Sequence, residues 1–107
     1  MEEAEFNAVA DAALAELEEA LAASDLFDYE VKPGGVLELV FDDGSRIVVN
    51  RHGAAREIWV AARSGGFHFA PREGRWIDTR SGEELFTALS RLAGEQAGET
   101  VMLRRRG

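Results

Sequence analysis

Apolar residues return every three or four positions over the first twenty or so residues of the chain. From Glu3 to Ala23, Phe6, Val9, Ala10, Ala13, Leu14, Leu17, Ala20 and Leu21 mark one face of a helix. The filling is alanine-rich and free of Gly and Pro, which favours a long helix by intrinsic propensity. After a short connection at Asp25–Asp28 the period changes to two. Phe27, Tyr29 and Val31 alternate with Asp28, Glu30 and Lys32, as in a strand with acids on its second face. Pro33-Gly34-Gly35 turns the chain into Val36–Phe41, where Leu37, Leu39 and Phe41 share a face. Asp42-Asp43-Gly44-Ser45 is a hairpin signal, and Arg46–Arg51 is the returning strand.

The stretch Arg56–Phe69 organises the rest. Ile58, Val60 and Ala62 alternate with Glu57, Trp59 and Ala61, Gly65-Gly66 turns, and Phe67 and Phe69 share a face opposite His68. The alternation by itself allows two places for Trp59, an open sheet face that meets a partner or a second covered layer. Pro71–Gly74 makes another turn before a short strand, Arg75–Asp78. Ser81-Gly82-Glu83-Glu84 reads as a capping box, with Ser81 accepting from the Glu84 N–H while Glu84 reaches back. The helix it opens carries Leu85, Phe86, Leu89, Leu92 and Ala93 on one side. Gly94 weakens it and Gly98 caps its end. Val101-Met102-Leu103 is an apolar tail laid on the helix layer, and Arg104–Arg106 a solvated tip. The order helix, consecutive strands, helix predicts an α+β, two-layer sandwich: two helices packed on one face of an antiparallel meander. That architecture leaves one sheet face in solvent and favours the open place for Trp59.

At 107 residues and 46% apolar content, the chain suits one domain with one modest core. It has no Cys, which excludes disulfides, thiolate metal sites and a cysteine nucleophile. The start is acidic, unlike a secretory or transit segment, and no apolar run approaches the ~18 residues of a membrane span. Cytoplasmic residence is the expectation. The net charge of −8 hides an asymmetry: residues 1–43 hold thirteen acids against Lys32, a formal −12, and the remainder carries +4. The first half is therefore suited to cations or basic protein surfaces and unsuited to nucleic acid.

Little in this chain points to catalysis. No nucleophile sits in a strand-to-helix elbow, no glycine-rich phosphate loop is present, and His52 and His68 lack the helical spacing of a zinc site. What remains is a set of carboxylates: Glu18, Glu19, Asp25, Asp28 and Glu30. Asp11, Glu18 and, where the helix extends that far, Asp25 recur every seven residues along one helix edge, spaced ~10 Å, too far for two to chelate one ion. Hard oxygen donors suit Fe3+, Fe2+, Mn2+ or Ca2+, and exposed ones bind them weakly. A solvated acidic face fits the same residues.

EFNAVAD, PGGVLELVFDDGSRIVVNR, IWVAARSGGFHF, WIDTRSGEELFTAL and QAGETV, in this order from Glu5 to Val101, resemble the bacterial frataxin family. The resemblance implies one frataxin-like domain over residues 1–107 with the sandwich fold already inferred. It implies a noncatalytic accessory protein of iron–sulfur cluster assembly that binds iron (Fe2+/Fe3+) weakly through Glu18, Glu19, Asp25, Asp28 and Glu30. It also implies partners, cysteine desulfurase and the iron–sulfur scaffold machinery, with a contact surface at Asn50, His52, Trp59 and His68. The expected state is a monomer that iron can drive into oligomers. Two positions depart from the family pattern. Ala22 and Ala23 stand where relatives commonly carry acids, and Glu57 stands where Gln often precedes the Ile-Trp pair. Two other readings are a ferroxidase or iron-storage activity, which needs a defined two-metal site, and an acidic interaction domain with incidental metal binding.

Overall fold

In the computed structural model, which describes residues 1–24 and 27–105, a helix precedes six strands and a second helix follows them. Helix α1 spans Glu3–Ala22, and the strands are β1 (Asp28–Lys32), β2 (Val36–Val40), β3 (Arg46–His52), β4 (Glu57–Ala62), β5 (Gly65–Arg72) and β6 (Arg75–Asp78). Helix α2 spans Leu85–Ala97. The sheet is antiparallel in the order β1-β2-β3-β4-β5-β6, because each short turn returns the chain beside the strand it has just left. The meander and the helix–strands–helix order are those the periodicity predicts.

Both helices cover one face of the sheet. Phe6, Ala10, Leu17 and Leu21 of α1 and Leu85, Leu89, Leu92 and Ala93 of α2 meet Leu37, Leu39, Ile47, Val49, Ile58, Val60 and Phe69 in one buried cluster. Trp76 belongs to this core, edge-on to Phe6 with ring centroids 5.9 Å apart. Val9, predicted on the apolar stripe, sits at its margin and is 40% exposed.

The start of α2 differs from the expected capping box. Asp78 Oδ1 accepts the N–H groups of Arg80 and Ser81, and Asp78 N–H donates to Glu83 O. Glu84 then pairs with Ile77 as an isolated bridge. These bonds hold Gly82–Glu84 against the outer edge of β6, so the helix cannot begin at Ser81. Glu84 is the N-cap instead, its carboxylate accepting from the N–H groups of Phe86 and Thr87. At the other end Gly98 is the left-handed C-cap, as predicted. Gly94 does more than weaken the helix: a Cβ there would lie 3.1 Å from the Glu99 carbonyl oxygen, and the Gly94 carbonyl accepts from the N–H groups of Gly98 and Glu99.

The tail lies on the helix layer as expected. Val101 and Leu103 are buried, and Ser90 Oγ accepts the Leu103 N–H at 2.8 Å. Of the tip, Arg106 lies outside the described residues, and Arg105 is not free, since it donates to the Gly74 carbonyl in the β5–β6 turn.

Candidate functional site

Ile58 and Val60 point into the core, so strand pleating turns Glu57, Trp59 and Ala61 to the open face. The register sets Asn50 beside Trp59 on β3 and His68 beside it on β5, while His52 pairs with Glu57. Trp59 is half-buried there because its two faces are covered by imidazoles. Ring centroids of His52 and Trp59 are 3.7 Å apart at 15°, and those of Trp59 and His68 are 4.4 Å apart at 11°. Trp59 Nε1 donates to Glu57 Oε1 at 2.8 Å, and His68 Nδ1 lies 3.7 Å from the same oxygen. His52 Nδ1 accepts the Ala55 N–H at 3.2 Å, which leaves Nε2 to carry the proton of the neutral ring. A partner on this face meets ring edges and N–H groups rather than an open indole plane. Asn50 completes the row, its amide donating to the Arg51 carbonyl at 3.2 Å.

The carboxylates fall on two faces. Glu18 and Glu19 are near the C-terminal end of α1, where the helix dipole is negative and the last turn holds no basic residue. A cation is favoured there on both counts. Asp28 and Glu30 lie on the open sheet face, opposite Val40 and Glu38. Glu30 is 3.7 Å from Arg46 and 3.8 Å from Lys32. Glu38 is 2.9 Å from each of those cations, and the hydrogen bond from Lys32, with help from Arg46, holds its carboxyl below the ordinary range. Asp11 is engaged as well, accepting two hydrogen bonds from Arg51 at 3.0 and 3.1 Å. Arg51 reaches it by crossing directly over Gly35, where an added Cβ would lie 2.5–2.6 Å from its side chain.

The structure therefore brings Asn50, His52, Trp59 and His68 together and does not gather the carboxylates into one row. Asp25 lies outside the described residues. Among the described residues, no three His, Asp or Glu side chains converge as a group that could hold a metal ion. Glu18 and Asp28 have neither an ion pair nor a hydrogen bond among the described residues, which leaves them open to a cation or a basic side chain. The sequence reading missed Glu38 and Arg46 as parts of this surface. The signal was available, since Glu38 sits between Leu37 and Leu39 and must face away from the core.

A frataxin-like domain model matches residues 1–99. The chain is 55% identical over 105 residues to the iron-sulfur cluster assembly protein CyaY of Dechloromonas aromatica, covering 97% of this chain and 100% of that protein. It is 50% identical to the CyaY of Ralstonia nicotianae, covering 94% and 93%. Among solved structures, the frataxin from Psychromonas ingrahamii is similar with a TM-score of 0.89 and 32% identity, over 98% of this chain and 100% of that one. The trimeric frataxin of Saccharomyces cerevisiae, complexed with ferrous, is similar with a TM-score of 0.63 and 27% identity, over 92% and 88%.

Proposed function

Because the chain belongs to the frataxin family, we propose that it is a noncatalytic accessory protein of iron–sulfur cluster assembly that carries iron weakly and docks on cysteine desulfurase. The observation that carries this reading is the 55% identity, over 105 residues, to a protein named for iron–sulfur cluster assembly. The yeast relative complexed with ferrous supports iron as the cargo. In this reading Glu18, Glu19, Asp25, Asp28 and Glu30 attract iron, and the spread of Glu18 and Glu19 on a helix end and of Asp28 and Glu30 on a sheet face suits exchange rather than storage. Water competes at every exposed oxygen, so affinity is low and release is fast. The desulfurase presents a basic surface to the same edge, steered by the −12 of residues 1–43. Asn50, His52, Trp59 and His68 meet the scaffold machinery on the open face. The protein acts in the cytoplasm as a monomer, and iron drives any larger assembly.

The test is a combined Glu18→Lys, Glu19→Lys and Asp28→Lys variant, with circular dichroism as the folding control. All three side chains lie off the core, so a cooperative, folded protein is expected, with iron and desulfurase binding both lost. Wild-type desulfurase binding by that folded variant would overturn docking through the acidic edge.

A further inference from the structure

The two edges of the sheet differ. The outer side of β6 is covered by Gly82–Glu84, through the Asp78 N–H and the bridge from Ile77 to Glu84. The outer side of β1 has no strand beyond it among the described residues. Its alternate N–H and C=O groups face outward over Asp28–Lys32. The charged side chains Asp28, Glu30 and Lys32 all lie on the open-sheet side, and the two on the helix side, Tyr29 and Val31, carry no charge. Val31 lies on that helix side, opposite Leu37, yet it is 60% exposed where a core-facing strand residue is ordinarily covered. Beside it a groove of about 240 Å3 runs between α1 and the β1–β2 hairpin, lined by Leu14, Ala15, Val31 and Leu37 with Asp11, Glu18 and Lys32 on its rim. Asp11 is paired with Arg51 and Lys32 with Glu30 and Glu38, which leaves Glu18 as the unpaired charge there among the described residues.

We propose that the outer edge of β1 takes up an extended, basic segment of a protein partner as a seventh strand. One face of such a strand places aliphatic side chains beside Val31 and Leu14, and its other face sets Lys or Arg beside Asp28 and Glu30. Main-chain hydrogen bonds supply affinity and the alternating side chains supply selectivity. Charge selects the occupant. A second copy of this chain brings the same acidic half to the edge, and the symmetric antiparallel pairing of two copies sets Glu30 opposite itself. A basic strand instead meets Glu18 and Asp28, which have no partners among the described residues. The inference deepens the docking half of the proposed function and rests on it only in assigning the segment to a protein with a basic surface.

The probe is a short blocked peptide of alternating arginine and valine, titrated against the whole protein and followed by backbone amide NMR and hydrogen exchange. Its control is the same peptide methylated on its amide nitrogens, which keeps charge and side chains and removes the donors. The unmethylated peptide is expected to bind about tenfold or more tighter, a difference of one or two hydrogen bonds. It should also slow exchange at alternate amides of β1 and leave those of β6 unchanged. Asp28→Lys should weaken it without altering the fold. Equal binding of both peptides, or protection elsewhere than β1, would overturn strand addition. Desulfurase binding measured in parallel keeps the two ideas apart: if it persists while the peptide fails, strand addition falls and docking through the acidic edge stands.

Discussion

Replacing Trp59 by alanine removes two ring stacks and one hydrogen bond but opens no core cavity. The expected cost is about 1–2 kcal/mol, from aromatic pairs worth roughly 0.5–1.5 kcal/mol each and partial burial. Phe69, fully buried on the next strand, should cost about 3–5 kcal/mol on the same change. Denaturant unfolding of both variants checks the contrast, and a Trp59→Ala loss as large as that of Phe69→Ala would put the indole in a core it does not occupy. The alternation of Glu57, Trp59 and Ala61 made this face legible in the sequence. The flanking imidazoles were not, because stacking depends on the register that brings His52 and His68 to either side. Gly35 offers a second test. Both Gly34 and Gly35 hold positive φ, 85° and 77°, so alanine strains the backbone at either. Only at Gly35 does the new Cβ also meet the crossing Arg51. Gly35→Ala should therefore be the more destabilising by about 1 kcal/mol, measured by thermal unfolding. Equal losses would mean that Arg51 moves aside freely.

At the scale of the element, α2 separates two kinds of helix start. A capping box would make Ser81 the critical residue, and its spacing from Glu84 invites that reading. The backbone of Gly82–Glu84 is already committed to the β6 edge, and Asp78 holds the N–H of Ser81. Local sequence cannot show that commitment, since it depends on the strand six residues upstream. Glu84→Ala should cost about 0.5–2 kcal/mol as a lost cap, whereas Ser81→Ala should cost only a few tenths. Thermal melts of the pair decide it, and the reverse order would restore Ser81 as the cap. The number and order of the strands were readable, because Gly34-Gly35 and Asp43-Gly44 mark the first two reversals between short alternating runs. Gly65-Gly66, read as a turn, instead opens β5 in register with Ala61 and Ala62. The reversal falls at Arg63-Ser64, since glycine is as free to pair in a strand as to turn. The cross-strand ion pairs joining Glu38 to Arg46 were not readable, since they need the register of a hairpin whose two strands each look ordinary.

Over the whole molecule, charge sets how stability responds to its surroundings. Thirteen acids against one base in residues 1–43 repel one another in the folded chain. Added salt should raise the melting temperature by screening. Iron at matched ionic strength should raise it further if it binds the native carboxylates. Acid acts in the other direction through three engaged groups. Asp43 is held at about 2 by Ser45 and then Arg63. Burial raises the carboxyl of Asp78, but the N–H groups of Arg80 and Ser81 outweigh it and leave the group lowered. Glu38 is lowered chiefly by Lys32. A carboxylate whose folded pKa is depressed contributes stability above its unfolded pKa and loses it as pH falls towards the folded value. These contributions are intact at neutral pH and fade from the ordinary values, 4.5 for Glu38 and 3.8 for Asp43 and Asp78, down to about 2 for Asp43. Urea unfolding from pH 6 to pH 2 should show the decline, and Asp43→Asn should flatten its lower part. An unchanged slope in Asp43→Asn would remove Asp43 from the acid transition.

Cluster formation on the scaffold, driven by cysteine desulfurase and followed by absorbance, tests most directly the central claim of two separable docking surfaces. It compares reactions with no added protein, with wild type, with Trp59→Ala and with the Glu18→Lys, Glu19→Lys and Asp28→Lys variant, each folded by circular dichroism. Wild type is expected to change the rate. The acidic-edge variant should lose that effect together with desulfurase binding, and Trp59→Ala should lose it while still binding the desulfurase. A rate that wild type leaves unchanged, or variants as effective as wild type, would contradict a role for these two surfaces in cluster assembly.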